Sequence, residues 1–182
     1  MNRAILALLA TLLPAAAASA SMLVPVDVQT ELFINIGKHD RSFDGKGAVL
    51  GVIYQADFPE SVVVKNEVVE AVKKRNLPLT CVVLEARNAA GLRKKLMETE
   101  ATIVYIAPLR ALNIGEIASL TRLRGIRSVT GVPEYVDLGI AVGIGLRNRR
   151  PLIIINLAGA RAEGSDFSSQ LLSLARIVGP LR

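Results

Sequence analysis

Tryptophan is absent from this 182-residue chain, and aromatic residues make up only 4% of it. So few rings argue against a stacking platform for single-stranded nucleic acid, and they predict an aliphatic core. The chain has one cysteine, Cys81, and one histidine, His39. A lone cysteine excludes an intramolecular disulfide, and zinc sites need several His or Cys ligands, so we predict neither a disulfide nor a metal site.

Motifs of common catalytic and nucleotide sites are missing as well. A Ser-His-Asp site would have to use His39, yet no G-x-S-x-G elbow is present. The glycines at 139, 143 and 145 fit neither the phosphate-loop motif nor the dinucleotide fingerprint, and close packing explains them. The sequence therefore predicts a protein that is not an enzyme and that uses no cofactor.

Half of the chain, 51%, is hydrophobic, and its length suits one domain. The net charge is +6, but the basic residues are dispersed between acidic ones, in RNLP, LRKKL, TRLRG and RNRR. Such dispersal is typical of solvated helix faces and turns, so we expect no nucleic-acid partner. Anionic lipid headgroups or cell-wall polymer remain open as partners of a basic exported protein.

The first twenty residues have the pattern of a secretory signal. Arg3 precedes a short apolar run, and Ala18-Ser19-Ala20 fits the small-x-small cleavage rule. Pro14 and an alanine run interrupt the segment before it reaches the length of a membrane anchor. We predict cleavage after Ala20, an exported domain at 21–182, and no membrane span in the mature chain.

After the signal, helical and strand patterns alternate. The opening segment VDVQTELFINIGK places Val28, Leu32, Phe33 and Ile36 on one helical face and ends at Gly37. Short β-branched runs predict strands at 48–54, 80–85, 102–107 and 127–132, and amphipathic helices lie between them, two of which are capped by Asn88 and Asn113. This alternation predicts a three-layer α/β sandwich with a mostly parallel sheet, of undecided strand order.

The last third departs from that rhythm. Two apolar runs flank the turn-prone segment 147–150, which is too short for a crossover helix, so we predict a C-terminal antiparallel hairpin. Asn156 then caps a short helix that Gly164 ends. A stripe at helical spacing predicts a C-terminal docking helix, with Arg176 in its last turn; the stripe consists of Phe167, Leu171, Leu174, Ala175 and Val178.

Two sets of residues are candidates for binding. In open α/β sheets ligands favour the carboxyl ends of the strands, where Gln55, Arg110 and Glu134 supply polar side chains. Ordinary loop polarity explains the same residues. The apolar face of the opening helix, with Val28, Leu32 and Phe33, either contacts a partner or a second copy in a homodimer, or packs on its own sheet.

The carboxyl-terminal third combines several motif-like features. A strand ends in Asn156-Leu157, a small-residue run follows through Ala160, Arg161 and Gly164, and the segment FSSQLLSLARIV closes the pattern at Val178. This pattern resembles the YfiR family of periplasmic regulators. The signal, the opening helix, the α/β middle and the late hairpin match the family layout too. The chain lacks the cysteine pairs of family members under redox control, and the Trp-Pro segment of many relatives is replaced by GKHDRSF.

The resemblance implies a non-catalytic periplasmic protein that holds a membrane-bound signalling protein in check, a diguanylate cyclase or a sensor kinase, through its outer domain. It would thereby tune cyclic-di-GMP signalling and biofilm formation. A small-solute binding module, akin to one lobe of a periplasmic binding protein, is the alternative that the α/β pattern suggests. A hydrolase would depend on His39 alone.

Overall fold

The computed structural model describes residues 24–77, 79–110 and 112–179. The predicted signal at 1–20 lies outside these residues. The elements are, in chain order, α1 (Val26–Lys38), β1 (Ala48–Tyr54), α2 (Pro59–Lys74), β2 (Leu79–Glu85), α3 (Ala89–Glu98), β3 (Ile103–Ile106), α4 (Ile114–Arg124), β4 (Arg127–Thr130), α5 (Glu134–Asp137), β5 (Val142–Arg147), β6 (Arg150–Asn156), α6 (Leu157–Ala162), α7 (Ser169–Leu174) and β7 (Arg176–Val178).

The strands form one mixed sheet in the order β2-β1-β3-β4-β5-β6-β7. All pairs formed among strands β1 to β5 are parallel. Strands β5 and β6 form an antiparallel pair, and β7 lies parallel to β6. The predicted α/β class, the mostly parallel sheet and the late hairpin are therefore confirmed. The strand order, left open by the sequence, places the first two strands at one edge.

Helices cover the sheet on both faces. Successive residues of each buried strand point to opposite sides, so both faces carry apolar side chains that need to be covered. On one face, Ile53 and Val104 pack with Leu92 of α3 and Ile117 of α4. On the other face, strand residues pack against α1 and α2, as in the cluster of Val52 and Tyr105 with Val26, Val64 and Val68. These layers give the predicted sandwich.

Asparagine caps begin three of the helices at the predicted positions. The side-chain oxygen of Asn88 accepts a hydrogen bond from the Gly91 N–H at 2.7 Å, and that of Asn113 accepts one from Gly115 at 2.9 Å. Asn156 caps α6 through the Gly159 N–H at 2.9 Å. In the β5–β6 turn, Asn148 and Arg149 both have positive φ, 53° and 61°, as a two-residue hairpin turn requires.

The C-terminal docking helix is present but shorter than predicted. Helix α7 docks through Leu171, which is buried with Phe167, whereas Leu174 is 70% exposed and ends the helix. The next residues form strand β7 along β6, so the prediction of Arg176 and Val178 in a helix is wrong. Pairing supplies partners for the otherwise open edge of β6, and the β-branched pair Ile177-Val178 suits a strand.

Candidate functional site

The structure brings two of the three predicted strand-end residues together. Gln55 follows β1 and is buried, and its side-chain oxygen accepts a hydrogen bond from the Arg110 backbone N–H at 2.9 Å. The Gln55 backbone N–H donates to the Ser61 hydroxyl at 2.9 Å. Arg110 itself is exposed, and its guanidinium lies 4.0 Å from the ring centroid of Phe58. Gln55 therefore braces two chain segments at this end of the sheet.

Glu134 lies apart from this pair in its contacts. It is the exposed first residue of α5, and the hydrogen bond between Gln55 and the Arg110 N–H does not involve it. The Tyr135 hydroxyl beside it contacts Leu109, donating to its carbonyl and accepting from its N–H. As a ligand site, the three residues remain a prediction.

The apolar face of α1 packs on its own sheet. Val28, Leu32 and Phe33 are half-buried beside the apolar cluster that contains Ile144 and Ile155. The Phe33 ring meets the Tyr105 ring edge-on, with centroids 6.1 Å apart. This packing accounts for much of the face, and its use by a partner or a second copy stays a prediction.

A cavity of about 550 Å³ lies at the opposite end of the parallel strands, between the sheet and helices α1 and α2. Its wall takes the first residues of four parallel strands, which are Ala48, Leu79, Ile103 and Arg127, and the apolar side chains Phe33 and Val72. Such a volume is typical of small-molecule sites. Sequence reasoning placed binding at the carboxyl ends of the strands, whereas this cavity is at the amino ends.

A buried ion pair stands beside this cavity. The Arg127 Nε donates to the Asp40 carboxylate at 2.8 Å, and only 1% of the Asp40 side chain is exposed. Asp40 also accepts hydrogen bonds from the Ser42 hydroxyl and from the backbone N–H groups of Ser42 and Asp166. Burial by itself raises the pKa of Asp40, but the hydrogen bonds from Arg127, Ser42 and Asp166 outweigh it and hold the pKa below its ordinary value.

The ion pair of Asp40 and Arg127 also joins distant segments of the chain. Arg127 donates to the Ser42 carbonyl at 3.0 Å, and its guanidinium lies 4.7 Å from the ring centroid of Phe43. The Ser42 hydroxyl contacts the Gly164 carbonyl, and Asp40 forms a β-bridge with Phe167. The loop after α1 is thus tied both to the start of β4 and to the segment before α7.

Glu163, the residue after α6, supplies a second buried carboxyl, which contacts Ser128 near the start of β4. Its oxygens accept hydrogen bonds from the Ser128 N–H at 2.8 Å and the Ser128 hydroxyl at 2.6 Å. Burial raises the pKa of Glu163 to about 7, although hydrogen bonds from Ser128 and Thr121 favour its charged form. The Thr121 hydroxyl donates to the Glu163 carboxyl at 2.6 Å and lies 3.0 Å from the Ala118 carbonyl.

The arrangement offers little for catalysis or metal binding. The Ser168 hydroxyl lies 3.3 Å from His39 Nδ1, but the same hydroxyl caps α7 by accepting from the Leu171 N–H. No carboxylate is recorded on His39 within the described ranges, so the third member of a triad is missing there. In those ranges no group of three or more His, Cys, Asp or Glu residues could hold a metal ion.

A comparison with known protein families shows which family the chain belongs to. The model of the YfiR/HmsC-like family matches residues 40–176, about three quarters of the chain. The chain belongs to the YfiR/HmsC-like family. The match begins at Asp40 and includes Arg127 and Glu163, while α1 precedes it. Membership supports a periplasmic regulatory protein and favours a non-enzymatic role, and no helix in the described part of the chain has the length and hydropathy needed to cross a membrane.

Solved structures show the same fold at low identity. This YfiR/HmsC-like chain superposes with a TM-score of 0.66 and 11% identity on the ABC domain in complex with L-Trp from Streptococcus pneumonia, covering 85% of itself and 62% of that chain. A conserved domain protein from Vibrio cholerae matches with a TM-score of 0.63, 14% identity and coverages of 84% and 60%. A ligand-free, open substrate binding protein with adhesive properties from Clostridium difficile matches with a TM-score of 0.62 and 14% identity. This match covers 87% of this chain and 61% of that protein.

The chain therefore spans about three fifths of the length of these structures. No curated protein sequence matches it. At such identities the likeness concerns the fold alone.

Sequence reasoning missed the residues that organise the amino end. Asp40 stands in the charged stretch KHDR, and its partner Arg127 is 87 residues away. Glu163 lies in a small-residue run whose pattern predicts only a helix end. An acidic residue between apolar positions was the one signal in the sequence for a buried carboxyl group, and this signal does not identify the residue that the carboxyl contacts.

Proposed function

We propose that this protein is a non-catalytic periplasmic regulator that binds the outer domain of a membrane-bound signalling protein of the diguanylate-cyclase type. The observation that carries the proposal is the YfiR/HmsC-like match, which covers the structure from the loop after α1 to the start of β7. Through this partner the protein would restrain cyclic-di-GMP synthesis and biofilm formation.

Crosslinking in the native periplasm tests the partner. The tagged protein is crosslinked, purified from membranes and analysed by mass spectrometry, and we expect a cyclase or a sensor kinase. An untagged strain provides the control. Recovery of the protein alone would contradict the regulatory proposal. The same spectra reveal the mature amino terminus, which we expect directly after Ala20.

A site-specific version locates the contact. A photoreactive amino acid at Leu32, on the half-buried face of α1, tests the predicted partner face. The same amino acid at Val83, which is 53% exposed on β2 at the sheet edge, is the matched control. We expect the partner to be captured from position 32 and not from position 83. A product of twice the protein's mass from position 32 would instead indicate the homodimer.

The alternative, a small-solute binding module, is favoured by the Gln55–Arg110 contact at the strand carboxyl ends together with the fold of the substrate binding protein. A solute bound there would raise the melting temperature by mass action. A thermal-shift screen with amino acids, sugars and nucleotides would show this rise, and Arg110→Ala would reduce it. A flat response across the screen argues against the alternative.

A further inference from the structure

The cavity at the amino ends of the strands has a wall that suits hydrocarbon. Interiors of folded proteins are close-packed, and an apolar space of about 550 Å³ is large by that standard. Water gains few hydrogen bonds in such a space, so an apolar occupant is favoured over solvent. The wall includes Ile34, Leu50, Val68, Val129 and Phe167, which come from both helices and from the sheet.

The polar groups of the wall are largely engaged with the protein itself. The Tyr105 hydroxyl donates to the Gln29 side chain at 2.9 Å, and the Thr30 hydroxyl donates to the Val26 carbonyl at 2.7 Å. Asp40 and Arg127 bind each other, and Ser128 binds Glu163. Among the polar side chains of the described wall, the Ser165 hydroxyl alone has no recorded hydrogen bond. One hydroxyl is too little to recognise an amino acid or a sugar.

The charged groups at the rim cancel. Lys38, at the end of α1, and Asp44, in the loop that follows, are exposed and opposite in sign. The buried pair behind them is neutral in sum. The rim therefore gives no preference for an anionic or a cationic headgroup, and selectivity rests on the apolar chain that enters the cavity.

The described ends of the fold are formed by residues that are not part of the cavity wall. Val24, where the described chain begins, precedes α1, while the wall uses that helix from Thr30 to Lys38. Strand β7 runs parallel to β6 and ends beside Asn156, at the end of β6.

We propose that this cavity binds a single-chain amphiphile through its hydrocarbon chain, with the headgroup at the rim between Lys38 and Asp44. Fatty acids and neutral single-chain lipids share this chemistry. Burial of each methylene group favours binding, so a chain of a dozen carbons suffices for binding without polar recognition. The proposal concerns a ligand of this protein and is independent of the regulatory partner.

The test is direct binding by the purified protein. Dansyl-undecanoic acid is titrated and followed by its fluorescence, and dodecanoate, dodecyl maltoside and L-tryptophan serve as competitors. We expect saturable binding that dodecanoate displaces and L-tryptophan does not. Displacement by dodecyl maltoside as well assigns recognition to the chain, whereas displacement by dodecanoate alone assigns it to fatty acids. Absence of saturable binding, or displacement by L-tryptophan, overturns the proposal.

Two variants fill the cavity from different sides. Ala48→Leu, on β1, and Val72→Phe, on α2, add bulk where the wild-type side chains line the space. Either folded variant should weaken binding at least tenfold, and the second serves if the first does not fold. Val83→Leu, on the exposed face of β2, is the matched control and should bind like wild type. Equal affinity in the control and in the cavity variants would place the probe elsewhere and overturn the proposal.

Discussion

At the carboxyl ends of the parallel strands, Gln55 holds the chain with neutral hydrogen bonds of its backbone and its side chain, whereas at the amino ends Asp40, Arg127 and Glu163 do so with ionisable groups. The carboxyl end is the usual place for ligands in such sheets, yet in this protein its brace is a backbone contact. The amino end combines buried ionisable groups with the large apolar cavity. The difference shows that the position of a site within a fold class does not follow from the fold class alone.

The largest effect is expected from breaking the ion pair at the amino end. Asp40→Ala leaves the Arg127 guanidinium, 18% exposed, without its carboxylate. Loss of one partner of a buried pair costs several kcal/mol, so we expect the free energy of unfolding to fall by about 4 kcal/mol. Urea denaturation measures it. The double variant Asp40→Ala/Arg127→Ala should recover part of the loss, and equal losses in both variants would refute the pairing argument.

The next largest effect is a pH dependence from Glu163 at the same end. Its pKa of about 7 in the folded chain exceeds the ordinary value of 4.5, so the folded state holds a proton that the unfolded state has released between these values. Stability from this group is therefore full below the lower pKa and declines as the pH rises toward the upper one. From about pH 5 to about pH 8 we expect a loss of about 3 kcal/mol relative to Glu163→Gln.

Parallel urea titrations of wild type and Glu163→Gln at several pH values give this difference. The glutamine variant keeps the shape of the side chain and removes its titration, so it isolates Glu163 from the other carboxyl groups. Asp40 contributes with the opposite sign, because its pKa is lowered and its stabilisation is lost at acid pH. Parallel curves for the two proteins across neutral pH would disprove a buried, titrating Glu163.

A smaller effect is expected at the carboxyl end. Gln55→Ala removes the acceptor of the Arg110 N–H, and we expect a loss of about 2 kcal/mol from an unpaired, partly buried backbone group. Thermal unfolding followed by circular dichroism measures it. Gln55→Glu retains an acceptor oxygen and should lose less than the alanine variant. The comparison between the two ends fails if Gln55→Ala destabilises the protein more than Asp40→Ala.

The smallest effect is expected from the exposed guanidinium of Arg110. Its contact with the Phe58 ring at 4.0 Å is a surface cation–π pair, so Arg110→Ala should cost about 0.5 kcal/mol. Arg110→Lys keeps the cation and should lie between wild type and alanine. The same urea titration detects the difference. A loss as large as that of Gln55→Ala would mean that the side chain, and not only the backbone of residue 110, braces this end.

Much of the fold could be predicted because its signals are local. Strand β1 was predicted with its observed bounds, and the caps Asn88, Asn113 and Asn156 act where the sequence indicates. The segment from Arg176 was assigned to a helix because its apolar spacing continued that of α7. This segment forms a strand because it pairs with the otherwise open edge of β6, and a tertiary contact of this kind has no local signal in the sequence.

The site was less predictable for the same reason. Strand ends can be located from sequence, so Gln55 and Arg110 were found as neighbours. The amino end depends on pairs such as Asp40 with Arg127 and Ser128 with Glu163, which are 87 and 35 residues apart. A cavity is harder still, because it depends on what the packed side chains leave empty. For the apolar face of α1, the sequence left binding of a partner and packing on the sheet as alternatives, because both need the same apolar spacing.

The tie between Asp40 and the Asp166 backbone has a consequence for the order of folding. These residues are 126 positions apart, so the loop that they close is among the most expensive in entropy. Contacts of such high sequence separation form slowly, whereas β1 and β2 can pair early. Phe167, which belongs to the cavity wall, reaches its place only when this late contact forms. The pairing of β1 with β2 would therefore precede the completion of the cavity wall, and a ligand could be held only at the end of folding.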